Sequence, residues 1–160
     1  MLILGIDPGS RFCGYGLIEV ENRKITAAGC DAVKIPVELN LPGRLNFLYT
    51  ELTKVILEYK PDVMSVESIF YSKNVKSSFI LGHVRGVVLL LGALHKMFIA
   101  EYTPKEIKKS ITGNGNASKR QVGYMVSQIL NINKENPSED AMDALAAAFC
   151  YYNREKFRSF

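Results

Sequence analysis

The chain opens on an apolar run, Leu2 to Ile6, that stops at Asp7 and a Pro8-Gly9 turn signal. Two further strand patterns follow, FCGYGLIEVE and KITAAGCDAVKI, joined only by Asn22-Arg23. Connections that short predict an antiparallel meander. From Leu41 the period changes: Leu45, Leu48, Leu52, Val55, Ile56 and Tyr59 continue one helical stripe, which Pro61 stops. DVMSVE predicts a short strand ending in Glu67, and a longer helix follows over Val75 to Lys96. MFIAEY reads as a fifth strand. Thr103 with Glu106 forms a capping box that opens a short helix, and Ser118 with Gln121 opens another. Between them TGNGNA reads as a flexible loop. A last helix is expected to start with Asn136 as N-cap, Pro137 at its first position and Glu139 at its third.

This order predicts an α/β fold with a five-stranded mixed sheet flanked by helices. The first three strands pair antiparallel, and the last two return through helical crossovers to lie parallel to the first. In open sheets of this kind the active site gathers at the carboxyl ends of the parallel strands. Asp7 and Glu67 stand at two such ends. The last helix carries Asp140 and Asp143, three apart and therefore on one face, just before its sequence turns small and apolar. Each aspartate alone is explained by the helix dipole, which favours acids in a first turn. Four acids converging on a partly apolar site are another matter, because their repulsion is costly unless a cation neutralises it. Carboxylates without histidine or cysteine partners suit Mg²⁺ or Mn²⁺ rather than zinc. Two such ions, roughly 3.5–4 Å apart, can activate water and stabilise the leaving oxygen of a phosphodiester.

Composition narrows the picture. With 160 residues, 48% of them hydrophobic, residues 1–160 are expected to form a single domain with a substantial core. No targeting segment is expected, and the longest apolar run, Val87 to Leu91, is too short to span a bilayer. The three cysteines are odd in number and scattered, which fits a reduced, cytoplasmic protein without structural zinc. A net charge of +4 allows a polyanionic partner without requiring one. The distribution says more. Lys105, Lys108, Lys109, Lys119 and Arg120 face a single acid, Glu106, in their segment, and Lys73, Lys76 and Arg85 follow Glu67. Such bases neutralise phosphates, although any one of them also reads as an ordinary surface residue. Phe70, just past Glu67, is placed to stack on an unpaired base or to anchor its loop in the core. In the helix from Val75, Gly82 and Gly86 leave room for another backbone while Phe79 and Leu90 can pack against it.

Together ILGIDPGSRFCGYGLI, VESIFYSKN, LGHVRG and EDAMDALAAAF resemble the RuvC family of Holliday-junction resolvases, which has a ribonuclease H-like fold. The resemblance runs from Leu2 to about Asn153. It implies a homodimeric, metal-dependent endonuclease that cuts two strands of a four-way DNA junction symmetrically. It also implies a catalytic and metal-binding tetrad of Asp7, Glu67, Asp140 and Asp143, two ions per site, and no histidine ligand, although family members can carry histidine at the third position. Lys108 and Lys119 match DNA-contacting lysines of the family, and Phe70 matches its stacking phenylalanine. The helix carrying Phe79, Gly82, Gly86 and Leu90 matches its dimer interface. A branch-migration helicase complex of the RuvA-RuvB type is the partner the family leads one to expect. The alternatives are another nuclease of the fold, such as the YqgF-like group, and a junction-binding module without catalysis. A sugar-kinase or actin-like half would need a second, repeated domain, for which 160 residues leave no room.

Overall fold

The computed structural model of the chain describes residues 1–68, 75–132 and 137–158. Strands β1 (Leu2–Asp7), β2 (Phe12–Glu21) and β3 (Lys24–Lys34) form an antiparallel meander. Its second turn, Asn22-Arg23, has φ of 49° and 65°. Two consecutive positive φ values match the right-handed twist of a hairpin. After α1 (Leu41–Tyr59), β4 (Val63–Glu67) returns parallel to β1. After α2 (Val75–Leu94), β5 (Phe98–Tyr102) returns parallel to β4. The sheet order is β3-β2-β1-β4-β5. Helices α3 (Pro104–Thr112), α4 (Lys119–Ile129) and α5 (Glu139–Arg158) complete the chain. The predicted ribonuclease H-like arrangement of strands is therefore the observed one.

Strand alternation sorts the core into two layers. Leu4, Ile6, Leu17, Met64 and Val66 point to the side covered by α1 and α2, while Ile3, Ile18 and Val63 point to the side covered by α3, α4 and α5. Asp7, Gly5, Ser65 and Glu67 are odd-numbered positions of the same strands. They share the face of Ile3 and Val63, which α5 covers.

Three details depart from the sequence reading, and one helix end falls where it was expected. Helix α5 begins at Glu139, two residues later than expected, with Ser138 as its cap, its hydroxyl accepting from the Ala141 N–H at 3.2 Å; Asn136, the expected cap, lies outside the described residues. The Ser138 carbonyl accepts the first helical bond, from the Met142 N–H at 3.0 Å. Helix α1 ends at Tyr59 as expected, where Lys60 turns left-handed, with φ of 52°, one residue before Pro61. The TGNGNA segment is a hydrogen-bonded turn, in which the Asn116 N–H donates to Asn114 Oδ1 at 2.9 Å and the Asn114 N–H to Thr112 Oγ1 at 3.1 Å. Short polar side chains that bond their own backbone tie such a segment down. Finally, α2 is, among the described residues, a helix of the length and apolarity of a membrane span, although its longest apolar run is short. Val84, Val88, Leu91 and Gly92 pack inward, but Val75, Phe79, Leu90 and Leu94 are exposed.

Candidate active site

Asp7 and Glu67 directly follow Ile6 and Val66, which are partners in the parallel ladder between β1 and β4. Neighbouring strands lie about 4.8 Å apart, so the two carboxylates emerge side by side on the α5 face. What brings α5 down onto them is a bare patch of sheet. A Cβ on Gly5 would stand 1.9 Å from the Ala144 carbonyl oxygen, and one on Gly14 would stand 2.0 Å from that of Asp140. No side chain fits at either position, so the helix backbone rests almost on the strands. The alanines after Asp143 are the other half of the same fit: Ala144, Ala147 and Ala148 are fully buried. Buried Ser65 fastens the contact by donating its hydroxyl to the Ala147 carbonyl at 2.6 Å. Because Gly14 is the register partner of Asp7, the Asp140 backbone lies over the strand position opposite Asp7.

Asp7, Glu67 and Asp143 line a cleft of about 170 Å³ together with Lys108 and Lys119. Asp140 stands beside it, close enough for its charge to act on Asp7. The electrostatics register the crowding. Burial first, then repulsion from Asp143 and Asp140, lifts the Asp7 carboxyl from 3.8 to about 6. Burial first, then Asp7 and Asp143, lifts Glu67 from 4.5 to about 7. Lys119 works the other way, its Nζ donating to Asp143 Oδ2 at 2.7 Å, and that bond raises its own pKa. Its placement follows from the Ser118–Gln121 capping box, which sets Lys119 at the first position of α4. Sequence reasoning placed Lys119 near DNA but gave no hint of this ion pair, since 24 residues separate its partners.

The donor set suits a hard divalent cation. It is all carboxylate, partly desolvated, and carries negative charge that its own lysines only partly offset. Among the described residues no three His, Cys, Asp or Glu side chains are drawn together closely enough to enclose an ion as they stand. Lys119, resting on Asp143, takes up part of the charge an ion would meet. Cys13 lies beneath the site, fully buried, and its thiol is pushed up to about 12 by burial and then by Asp7, so it remains a protonated packing residue.

The basic residues divide. Lys108 and Lys119 reach the cleft, Arg120 stands exposed beside Lys119, and Lys105 and Lys109 are exposed on α3. Lys76 is exposed in the first turn of α2. Arg85 is engaged elsewhere, in an ion pair with Glu101 on β5. The DNA role expected of Arg85 is therefore one it could take up only by leaving Glu101, a neighbour that sequence spacing did not reveal. Phe70 and Lys73 lie outside the described residues. Phe79, Gly82, Gly86 and Leu90 do come together, along one outer groove of α2.

A mixed sheet with paired carboxylates at its parallel strand ends, an acidic helix start laid across them and lysines at the rim defines a ribonuclease H-like scaffold. Its chemistry is that of phosphodiester cleavage. The comparisons agree. Residues 3–151 match the family model for the crossover junction endodeoxyribonuclease RuvC. The RuvC of Alkaliphilus oremlandii is 40% identical over 157 residues, covering 98% of this chain and 96% of its own. The Thermus thermophilus RuvC structure superposes with a TM-score of 0.89 at 25% identity, covering 99% of this chain and 97% of that one. T. thermophilus RuvC in complex with Holliday junction substrate has the same fold, with a TM-score of 0.88 at 23% identity over 98% and 96% of the two chains. The chain belongs to the RuvC family of crossover junction endodeoxyribonucleases, and it is an endonuclease of that class.

Proposed function

We propose that this protein resolves four-way DNA junctions by paired, symmetric, metal-dependent hydrolysis, with Asp7, Glu67, Asp140 and Asp143 as catalytic residues and metal ligands. The observation that carries this reading is the convergence of Asp7 and Glu67 under an α5 that the glycine-bared sheet lets approach. Mg²⁺, replaceable by Mn²⁺ and present as two ions per site, supplies Lewis acidity and an activated water when bound. The chain's own residues hold and position that chemistry. Asp7, central between β4 and α5, would be the central ligand of the set. Glu67 lies to one side of it, and Asp140 and Asp143 complete the set from the helix. Lys119, which rests on Asp143, and Lys108, which lines the same cleft, would hold the phosphate. Lys105, Lys109, Arg120 and Lys76 extend a basic rim for the arms of the junction, and Phe70 and Lys73, which follow Glu67 in the sequence, complete the DNA contacts.

The same reading calls for a homodimer, since a four-way junction has two equivalent strands to cut. The groove on α2, about 610 Å³, supports it. A Cβ on Gly82 or Gly86 would meet nothing within 4 Å among the described residues, so packing inside the chain does not require glycine there. Glycine inside a helix destabilises it by about 1 kcal/mol relative to alanine. A second α2 crossing closely at these positions explains both glycines and the exposed Phe79 and Leu90 flanking them. One nuclease domain over residues 1–160, working in the cytoplasm with a branch-migration helicase of the RuvA-RuvB type, completes the proposal.

The test uses a labelled four-way junction and a matching linear duplex, with Mg²⁺ and with chelator. Paired symmetric nicks on the junction alone, lost with chelator, support the reading. Tight junction binding without cleavage under either metal would leave a binding module. Equal cutting of duplex and junction would point instead to another nuclease of the fold.

A further inference from the structure

Three basic side chains gather at the end of the sheet where Asp7 emerges. Arg44, in the first turn of α1, is half-buried, and its guanidinium donates through Nη2 to the Ser10 carbonyl. Arg11 follows Ser10 directly and is exposed, and its carbonyl accepts from the Ile35 N–H at 2.8 Å. Lys34, next to Ile35 and likewise exposed, is thereby set beside Arg11 on one shallow groove. Two hydrogen bonds to backbone carbonyls thus draw three positive charges around the loop that leaves Asp7. Among the described residues none of the three forms an ion pair, and the groove is lined by a single acid, Glu38. Arg85 is different, since Glu101 answers its charge. Arg44 Nε is buried without a hydrogen-bond partner among the described residues. The first turn of α1 contains no acid to offset Arg44, and the helix dipole disfavours a cation there. A partly desolvated guanidinium without a counter-charge is costly to the fold, so these charges await an anion from outside the chain.

Sheet register says which anion reaches them. Asp7 pairs with Gly14 and Gly14 with Ala32, and Lys34 lies two residues further along β3. Two strand spacings of about 4.8 Å and two rises of about 3.4 Å put the Lys34 backbone roughly 12 Å from that of Asp7. The patch lies on the β2–β3 side of β1, whereas Lys105, Lys108 and Lys109 belong to α3, which follows β5 at the other edge of the sheet. A nucleic-acid strand crossing the cleft is therefore met by bases on both sides of the acids. Phosphates along a duplex strand follow one another at about 3.4 Å of rise, so 12 Å corresponds to three to four base pairs. We propose that Arg11, Arg44 and Lys34 form a second phosphate-binding site, which holds the backbone of a junction arm about three to four base pairs from the scissile phosphate. Arg11 and Lys34 contact the phosphates directly. Arg44 fixes the loop through Ser10 and adds its charge from beneath. The inference rests on the junction-cleaving reading above and goes beyond it in placing a stretch of bound DNA on the side of the cleft opposite α3.

The experiment measures binding of a labelled four-way junction in chelator, so that nothing is cut, as salt rises from about 50 to 200 mM. The double variant Arg11→Gln, Lys34→Gln is compared with wild type. A control, Lys24→Gln with Lys60→Gln, removes the same charge from exposed positions at the other end of the sheet. Each lost phosphate contact makes the slope of log affinity against log salt shallower by about 0.9. The Arg11, Lys34 variant should therefore be shallower by about 1.8 for each copy of the chain bound, and wild type should lose about tenfold more affinity per copy over that range. The control should keep the wild-type slope. In a second arm, single phosphates of the junction are replaced in turn by uncharged methylphosphonates. A neutral linkage about three to four base pairs from the cut should weaken binding by wild type but not by the Arg11, Lys34 variant. This scan tests the proposal on wild type alone if the variant folds poorly. Equal slopes in wild type and the variant would overturn the proposal, and are what a protein-binding patch would give. So would a control as shallow as the variant, or a wild type indifferent to neutral linkages at that separation. A wild type that prefers no junction over linear duplex would instead overturn the proposed function, so the two failures are distinct.

Discussion

Replacing Asp7 with asparagine should destroy cleavage while making the metal-free protein more stable. Burial and the neighbouring acids raise the Asp7 carboxyl from 3.8 to about 6. A shift of about two units corresponds to roughly 3 kcal/mol at ~1.4 kcal/mol per unit. Asp7 is partly open to solvent, and screening there brings the figure to about 2 kcal/mol. The sign follows from linkage. A carboxyl whose folded pKa is raised favours the fold only while protonated, so its contribution is full below 3.8 and is lost as pH climbs through about 6. At about pH 8 wild type carries the whole penalty, and the asparagine variant carries none at any pH. With chelator present, Asp7→Asn should therefore melt roughly 4–8 °C above wild type at about pH 8, given ~2–4 °C per kcal/mol for a chain of this length. At about pH 4.5 the gap should shrink to a third or less. Adding Mg²⁺ should raise the melting temperature of wild type, since a ligand that binds only the folded state stabilises it, and should do little for the variant. Thermal melts by circular dichroism at the two pH values, with and without metal, give all four numbers. A variant that melts below wild type at about pH 8, or by the same margin at both pH values, refutes the argument that Asp7 is held against its own charge.

Three further substitutions probe how the site is built. Gly14→Ala should force α5 off the sheet, because its Cβ would stand 2.0 Å from the Asp140 carbonyl; overpacking of this kind destabilises by about 1–3 kcal/mol, and cleavage should fall about a hundredfold through misplaced ligands, read from melts and single-turnover rates. Ser138→Ala removes the cap of α5 and should lower stability by about 1 kcal/mol, detectable as a lower denaturant midpoint. Phe79→Glu sets a charge in the outer groove of α2 and should turn a dimer into a monomer in sedimentation velocity, with paired nicking reduced to single, uncoordinated cuts.

Much of this architecture was readable in the amino acids because its signals are local. The boundaries of β1 and β2, both capping boxes and the Asn22-Arg23 turn depend on residues within a few positions of one another, and each appears where it was expected. Asp7 and Glu67 were legible for a related reason: each closes an apolar strand, and crossover topology then forces them together. The misreadings share the opposite character. The partners of Lys119 and Arg85, Asp143 and Glu101, are distant in sequence, and nothing in the spacing of charges announces them. The start of α5 slipped because Asn136 and Ser138 are both competent caps and Pro137 lies between them, so only the course of the backbone decides. The glycines were visible as letters, but whether each marks an inner contact, as at Gly14, or an outward opening, as at Gly82, needs the neighbouring elements in place.

Why two like charges persist at the edge of a core follows from these pieces taken together. Asp140 and Asp143 lie in the opening turns of a helix whose dipole is positive at that end, and Ser138 accepts one of the free N–H groups there. The short aspartate stem keeps each carboxylate near the backbone, and the backbone is near the sheet only because Gly5 and Gly14 carry no side chain. A longer acid at either position, or a larger residue under the helix, would move the charge away from Asp7 without unfolding the protein. The alanine run after Asp143 serves the same end, since any larger residue at Ala144 or Ala148 would lift α5 at the point where Gly5 receives it. The packing of small residues between β1 and α5 is thus what places the carboxylates, and the ionisation penalty on Asp7 and Glu67 is the energetic trace of that placement.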